Sequence, residues 1–212
     1  VIETIRNAAG FIAALEIARK RGVPIVVLKV GRTLKSAQMA VSHTGAIAGN
    51  DAVYEAIFRA YGVHRVADMD EMAATLALFD TPRRPAPGQL GAIHDSGGER
   101  ELLVDLAEDY GLRFAELASA TCTALHEHLE PGLVAENPLD AFGTHNNLED
   151  RFAALIATLV NDANVGLGVF LSNPRDGYAY AENYCSALIK AAQITDKPLA
   201  LATNYSMADD RK

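Results

Sequence analysis

The segment with the clearest chemical potential is residues 42–49, which has the sequence SHTGAIAG. It places His43 between the hydroxyl side chains of Ser42 and Thr44, directly before Gly45 and ahead of a predicted helix. Glycine lets a backbone approach a ligand closely, and the N–H groups at a helix start favour an anion. An imidazole there could attack phosphorus while neighbouring donors stabilise the phosphoryl oxygens. On chemistry alone, a hydrogen-bonding or surface histidine is the commoner alternative.

The charge around this segment is uneven. The chain has 27 acidic and 19 basic residues and a net charge of −8, yet no acidic residue occurs from Ile17 to Asn50. Three of the cations in this stretch suit the end of a helix: Arg19, Lys20 and Arg21. Three others lie at or after the end of a predicted strand: Lys29, Arg32 and Lys35. These last three indicate a site that favours an anion. The overall negative charge argues against a general nucleic-acid binder.

Other reactive residues give weaker patterns. Cys122 and His126 could share a helix face near His128, but three groups without a fourth, and without CxxC, do not predict a metal site. The two cysteines, Cys122 and Cys185, are predicted to be reduced thiols of a cytoplasmic protein. No segment has the pattern of a signal peptide or a membrane span. The tyrosines are predicted to pack a helix rather than stack on a base: Tyr178, Tyr180 and Tyr184.

In the first half, hydrophobic periodicity and capping residues predict the elements that must position the histidine. Helices are predicted over 7–21, 51–61 and 68–79, and strands over 24–30 and 63–66. Residues 31–49 are polar and contain glycine, so they are predicted to be mostly loop. Residues 81–88, TPRRPAPG, predict an extended linker between two domains, 1–80 and 88–212.

The second half alternates strands and helices. Strands are predicted over 90–94, 113–117, 165–171 and 198–203, and helices over 99–110, 119–129, 149–161 and 178–193, with 131–147 irregular. This order predicts an α/β fold with parallel sheets. The first half offers too few strands for an independent sheet. Strands before Val1 are therefore expected to be missing, and the chain is predicted to be a piece of a larger protein.

Residues 29–72 resemble the phosphohistidine segment of NDP-forming acyl-CoA synthetases, a superfamily that includes succinyl-CoA synthetase. The similarity covers the SHTGA-x-AG core and the helix, AYGV turn, strand and acidic helix start that follow it. It extends back to Ile2 and Glu3. It also extends forward, because residues 94–98, HDSGG, stand where the family has Thr-Asn-small-Gly-Gly, and residues 137–140, NPLD, resemble its Asn-Pro-Val-Asp.

The resemblance implies two flavodoxin-like lobes, the first truncated at its N-terminal side, from an acid–thiol ligase. Such enzymes interconvert acyl-CoA, phosphate and NDP with carboxylic acid, CoA and NTP through an acyl phosphate and a phosphohistidine. His43 takes the place of that histidine, and Glu3 takes the place of the glutamate that orients it. Phosphate-binding positions are Ser42, Thr44 and Gly45, and, at a helix start in the second lobe, Ser96, Gly97 and Gly98.

The same resemblance implies the substrates and partners. CoA, ATP or ADP, and Mg²⁺ would be bound mainly by CoA-binding and ATP-grasp domains that this chain lacks, in a cytoplasmic oligomer. The second lobe departs from the family pattern, since Asp95 and Glu99 add carboxylates beside the expected phosphate and Arg100 follows them. Two alternatives remain at this point: non-catalytic acyl-CoA-sensing lobes fused to a regulatory or acetyltransferase protein, which retention of His43 disfavours, and a flavodoxin-type electron carrier.

Overall fold

The computed structural model describes residues 1–44, 50–142, 146–175 and 177–204, with only the backbone described for 40–44. The chain divides into two units, Val1–Pro82 and Arg83–Lys212, and the division falls within the proline-rich segment 81–88. Every strand pairing among these described residues is parallel. The predicted α/β class with parallel sheets is therefore confirmed.

The first unit contains a small parallel sheet and the helices around it. Its described elements are α1 (Ala8–Lys20), β1 (Val26–Leu28), α2 (Leu34–Thr44), α3 (Asp51–Tyr61), β2 (His64–Val66) and α4 (Met69–Phe79). Strand β1 pairs with β2, and Leu28 lies opposite Val66. On its other side, Lys29 forms a parallel bridge with Ile2. The chain start therefore lies beside the carboxyl end of β1.

Side-chain caps set the helix starts of this unit. The Asn7 side chain accepts a hydrogen bond from Gly10 N–H at 2.9 Å, and the Asn50 side chain accepts one from Ala52 N–H at 2.9 Å. At α4, Asp68 accepts from Glu71 N–H at 2.8 Å, while the Glu71 carboxylate accepts from Ala67 N–H at 2.6 Å. The predicted capping box is thus present, although its return bond reaches one residue further back than usual.

The prediction of a loop over 31–49 is wrong for Leu34–Thr44, which forms α2. Thr33 and Ser36 start this helix, because Thr33 N–H donates to Ser36 Oγ at 3.1 Å and Ser36 N–H donates to Thr33 Oγ1 at 3.2 Å. The helix then runs through Leu, Lys, Ala, Gln and Met, which have high helix propensity. The glycines that suggested a loop lie on either side of α2.

The second unit has a four-stranded sheet in the order β4-β3-β5-β6. Its elements are β3 (Gln89–His94), α5 (Gly97–Tyr110), α6 (Ser119–His126), β4 (Leu139–Asp140), α7 (Leu148–Val160), β5 (Val165–Leu171), α8 (Ala181–Ile194) and β6 (Leu199–Ala202). From β3 the chain crosses to one side for β4 and then to the other side for β5. In such a sheet the topological switch point lies between β3 and β5, at their carboxyl ends, where ligands bind.

Two predictions for this unit need correction. The strand predicted over 113–117 is reduced to a single bridge between Phe114 and Leu90, and the segment predicted to be irregular contains β4. Asn137 explains both. Its side chain accepts from Ala92 N–H at 2.9 Å and donates to the carbonyls of Leu90 and Ala115 at 2.9 Å each. A side-chain amide thus takes hydrogen bonds that a longer strand would supply.

The core of the second unit lies between the sheet and α7 and α8. Phe152, Phe170 and Tyr184 form its aromatic centre, with ring centroids 4.9 to 5.7 Å apart. The packing prediction for Tyr184 is confirmed by its burial. Helix α7 approaches the strands so closely that a Cβ on Gly168 would lie 2.3 Å from Val160 Cγ2. No helix in the described ranges has both the length and the apolar character needed to cross a bilayer.

Candidate functional site

The histidine motif lies at the end of a helix. Ser42, His43 and Thr44 are the last residues of α2. Their side chains, and Gly45 entirely, lie outside the described residues. The next described residue, Asn50, caps α3. The described part of the site therefore consists of the elements that precede and follow the motif.

Glu3 belongs to an N-terminal segment that is held on two sides. On one side, Ile2 N–H donates to the Leu28 carbonyl and Val30 N–H donates to the Ile2 carbonyl, both at 3.0 Å. On the other side, Ile5 N–H donates to the Tyr54 hydroxyl at 3.2 Å. These bonds fix the segment at the carboxyl end of β1, the edge where parallel α/β sheets bind ligands.

The start of α3 lies at this same edge. Tyr54, in the first turn of α3, contacts Ile5 through its hydroxyl, which is also 3.4 Å from Thr4 Oγ1. The N–H groups of a helix start carry partial positive charge. The structure therefore brings together the Glu3 segment and the helix that directly follows the histidine motif.

The cations predicted to favour an anion divide into two groups. Arg32 and Lys35 are exposed at the start of α2. Lys29 is only 3% exposed, and its Nζ donates to the carbonyl of Glu3 at 2.7 Å and to that of Val30. The Lys29 ammonium is therefore bound within the protein rather than presented to solvent, which the sequence pattern did not indicate.

In the second unit, the predicted phosphate contacts lie at the start of α5. Ser96 is the N-cap residue, its side chain makes no capping bond, and Gly97 and Gly98 begin the helix. Asp140 lies against this turn, because a Cβ on Gly97 would be 2.9 Å from Asp140 Oδ2. A carboxylate of the protein thus already lies beside the predicted anion contact.

Asp95 and Glu99 are held at the switch point of this unit by residues that follow β5. Ser172 Oγ donates to Asp95 Oδ2 at 3.1 Å, and the Tyr178 hydroxyl is 3.5 Å from the same oxygen. Burial raises the pKa of Asp95, and the Ser172 hydrogen bond opposes that rise. Asn173 Nδ2 donates to Glu99 Oε1 at 2.7 Å. Sequence spacing could not show that both carboxylates have partners more than 70 residues away.

Arg100 is the cation nearest in sequence to these carboxylates. Its guanidinium pairs with Glu136 at 2.5 Å. The Arg100 guanidinium is thus paired with an acidic residue other than Asp95 or Glu99. The acidic side chains at the strand ends are Asp95, which follows β3, and Asp140, which ends β4.

His94 has a side chain that could take part in chemistry, but the sequence pattern gave it no role beyond its place in the HDSGG segment. It is fully buried, and among the described residues neither ring nitrogen has a hydrogen-bond partner. Burial lowers the pKa of His94 to about 4, although the negative charge of Asp140 acts in the opposite direction. The ring is therefore neutral at pH 7. No three His, Cys, Asp or Glu side chains cluster as a metal site in the part of the chain that the structure describes.

Known proteins resemble the chain over most of its length. Residues 1–79 match the family described as succinyl-CoA ligase like flavodoxin domain. An ADP-forming acetate–CoA ligase of Methanocaldococcus jannaschii is 33% identical over 142 residues, which cover 67% of this chain and 20% of that protein. The alpha subunit of ADP-forming acetate–CoA ligase II from Pyrococcus furiosus is 30% identical over 167 residues, 78% of this chain and 35% of that subunit. The chain thus spans about a fifth to a third of these relatives.

Solved structures share the fold. A Ca. Korarchaeum cryptofilum dinucleotide-forming acetyl-coenzyme A synthetase 1, in complex with phosphate and ADP, aligns with a TM-score of 0.78 and 22% identity, over 95% of this chain and 44% of that one. PH0766 from Pyrococcus horikoshii OT3 aligns with a TM-score of 0.73 and 22% identity, over 97% and 43%. These structures show the same fold, and the family match and the sequence relatives confirm the resemblance predicted from residues 29–72.

Proposed function

Because residues 1–79 match the succinyl-CoA ligase-like flavodoxin family, we propose that the chain is part of an NDP-forming acyl-CoA synthetase. The reaction would interconvert acyl-CoA, phosphate and NDP with a carboxylic acid, CoA and NTP. Two relatives with ADP-forming acetate–CoA ligase names and one named 4-hydroxybutyrate–CoA ligase [ADP-forming] support this class of reaction. They also favour ADP as the nucleotide and a small carboxylic acid as the substrate.

We propose a separate role for each of the two units. Residues 1–80 would be the C-terminal part of a succinyl-CoA ligase-like domain that carries the phosphohistidine, and residues 88–212 a second flavodoxin-like ligase domain. CoA, nucleotide and Mg²⁺ would bind mainly to a CoA-binding domain and an ATP-grasp domain, in the same polypeptide or in another subunit of an oligomer. The chain alone should then not catalyse the full reaction.

In the proposed mechanism, a ring nitrogen of His43 attacks the phosphorus of the acyl phosphate. The bond from phosphorus to the acyl oxygen breaks, the carboxylate leaves with that electron pair, and an N–P bond forms. A terminal phosphate oxygen of NDP then attacks the same phosphorus, which releases the histidine and gives NTP. Glu3 would accept a hydrogen bond from the other ring nitrogen and so fix the reactive tautomer.

One observation carries this proposal: the segment of Glu3 and the first turn of α3 meet at the carboxyl end of β1 through Tyr54. Because α3 directly follows the histidine motif in sequence, this contact supports a short path from the Glu3 carboxylate to His43. Ser42, Thr44 and Gly45 would supply donors to the phosphoryl group from the motif itself.

The second unit would contribute less to phosphate binding. Ser96, Gly97 and Gly98 could contact a phosphoryl oxygen through the N–H groups at the start of α5. Asp95 and Asp140 are close to that turn and would repel the anion. We therefore propose this contact as the weaker of the two.

The test uses the full-length enzyme that contains this chain, incubated with Mg²⁺ and [γ-³²P]ATP or with labelled acetyl phosphate. The expected product is an alkali-stable, acid-labile label on the wild-type protein, which His43→Ala abolishes together with ligase turnover. His64→Ala is the matched control, since His64 is exposed on β2. Normal turnover of the His43→Ala enzyme would overturn the proposal. A wild-type protein that binds acyl-CoA but takes no label would favour the sensing function instead.

A further inference from the structure

We infer that Lys29 is a positioning residue that holds the backbone of Glu3, and through it the carboxylate proposed to orient His43. The inference rests on the proposed function and goes beyond it, since it assigns a role to a residue outside the phosphate-binding motif. Its basis is how the Lys29 ammonium is bound.

The environment of Lys29 is unusual for a lysine. The residue is 3% exposed, and among the described residues its ammonium has no carboxylate partner. Instead, Nζ donates to the carbonyls of Glu3 and Val30 and lies 4.7 Å from the centroid of the Tyr54 ring. Burying an ammonium is costly unless such carbonyl acceptors and an aromatic ring replace its water. The buried ammonium of Lys29 therefore serves to hold two backbone carbonyl groups in place.

The carbonyl of Glu3 lies where the strand ladder stops. Ile2 lies opposite Lys29 and exchanges backbone hydrogen bonds with Leu28 and Val30, but this bridge is isolated and does not continue to Glu3. The Lys29 side chain bonds to the Glu3 carbonyl at 2.7 Å and so extends the constraint by one peptide unit. Ile5 is then held by the Tyr54 hydroxyl. Because Ile2 before it, Ile5 two residues after it and its own carbonyl are all fixed, Glu3 has a defined Cα–Cβ direction.

Tyr54 joins this arrangement to the helix that follows the histidine motif. Its ring faces the Lys29 ammonium, and its hydroxyl contacts the segment that carries Glu3. Lys29, Tyr54 and Glu3 therefore form one connected network at the carboxyl end of β1. A reactive group on a constrained backbone is already oriented before the reaction, so less conformational entropy is lost in reaching the transition state than for a group on a free segment.

The test is Lys29→Met in the full-length enzyme, because methionine keeps the length and apolar body of lysine but has no donor. We expect the rate of His43 phosphorylation to fall by about 10- to 100-fold, the range for partners that orient a reactive group. The KM for nucleotide should not change, since that substrate is proposed to bind other domains. Glu3→Gln should give a loss of similar size, and the double variant should lose little more.

The pH profile separates positioning from a general structural defect. Attack requires neutral imidazole, and a neighbouring carboxylate raises the pKa of an imidazole. Release of Glu3 should therefore move the acid limb of the phosphorylation rate to lower pH in both Lys29→Met and Glu3→Gln. A variant that is merely less folded would lose amplitude without moving that limb.

Lys20→Met is the matched control, since Lys20 is exposed in the last turn of α1, and should behave as wild type. If Lys29→Met does not fold, Tyr54→Phe is used to test the network instead, because this variant keeps the ring and removes only the hydroxyl that contacts the Glu3 segment. It should show the same shift of the acid limb with a smaller loss of rate. A wild-type rate and pH profile in Lys29→Met, or in its substitute Tyr54→Phe, would overturn the inference. An unlabelled wild-type protein would instead overturn the proposed function, and the inference with it.

Discussion

The two units solve the same packing problem by different means. In the second unit, a large apolar core lies under a four-stranded sheet, with Phe152, Phe170 and Tyr184 at its centre. In the first unit, a smaller cluster around Phe58 lies under a described sheet of two strands. There, polar contacts such as Lys29 to Glu3 and Arg65 to Asp51 add to a small core, whereas similar contacts in the second unit, such as Lys197 to the Asp162 carbonyl, add to a large one.

The carboxyl ends of the two sheets also differ in charge. In the first unit, this edge has the buried ammonium of Lys29 and the start of α3, where the Asp51 carboxylate is paired with Arg65. In the second unit, Asp95 and Asp140 occupy it, together with Glu99. Since like charges repel, the comparison favours the first unit as the site of the proposed phosphoryl chemistry. Three experiments test this difference between the units.

The largest effect is expected from Phe152→Ala in the second unit. Phe152 is 1% exposed, and its ring centroid lies 4.9 Å from that of Tyr184. The cavity and the lost burial should cost about 3–5 kcal/mol of unfolding free energy. Peptide-level hydrogen exchange should show lost protection in the second unit only. Phe142→Ala is the control, because Phe142 is 61% exposed, and it should cost less than about 0.5 kcal/mol. Equal loss in first-unit peptides would mean that both cores unfold together.

His94 should make the second unit sensitive to acid. Burial lowers its folded-state pKa to about 4, so below about pH 6.5 the unfolded state binds a proton that the folded state does not. Stability contributed by neutral His94 should therefore fall by about 3 kcal/mol as the pH drops from 6.5 to 4. Urea unfolding at pH 7 and pH 4.5 measures this loss. His94→Leu should lose less stability over that interval, and an identical loss in the variant would refute the assignment to His94.

The smallest effect is expected from Arg65→Met in the first unit. The Arg65 guanidinium donates to Asp51 at 2.7 and 3.0 Å and to Glu55 at 2.9 Å, and these contacts raise its pKa. Its loss should cost about 1–2 kcal/mol in urea unfolding, since the carboxylates are half exposed and can be rehydrated. Arg59→Met should cost less than about 0.5 kcal/mol, because Arg59 is 81% exposed and its pair with Glu55 measures 3.7 Å. Equal costs would show that the polar contacts of this unit do not stabilise it.

Elements whose signals are local were predicted well. Helix α3 begins at the Asn50 cap and ends at Gly62, which has the left-handed φ of 67° that favours glycine. Strand β5 has the predicted bounds, because its apolar run is long enough to identify. By contrast, α2 was missed because its glycine-containing flanks outweighed the helix-forming residues between them.

Strand β4 was missed for a different reason. It has only two residues and depends on Asn137, whose partners lie 22 to 47 residues away in sequence. No local pattern can encode such partners. The same holds for the carboxylates of Asp95 and Glu99, whose hydrogen-bond partners Ser172 and Asn173 follow β5.

The α/β class and the family resemblance could be read from the sequence alone, because they depend on residue types and their spacing, and the resemblance in turn implies His43 as the candidate nucleophile. The positions of the charged groups became known only from the folded chain. The fold places the ammonium of Lys29 on the backbone of Glu3, and it buries His94 without a hydrogen-bond partner among the described residues. Burial and long-range hydrogen bonds set the energy of a charged or polar group, and both arise only when distant segments pack together.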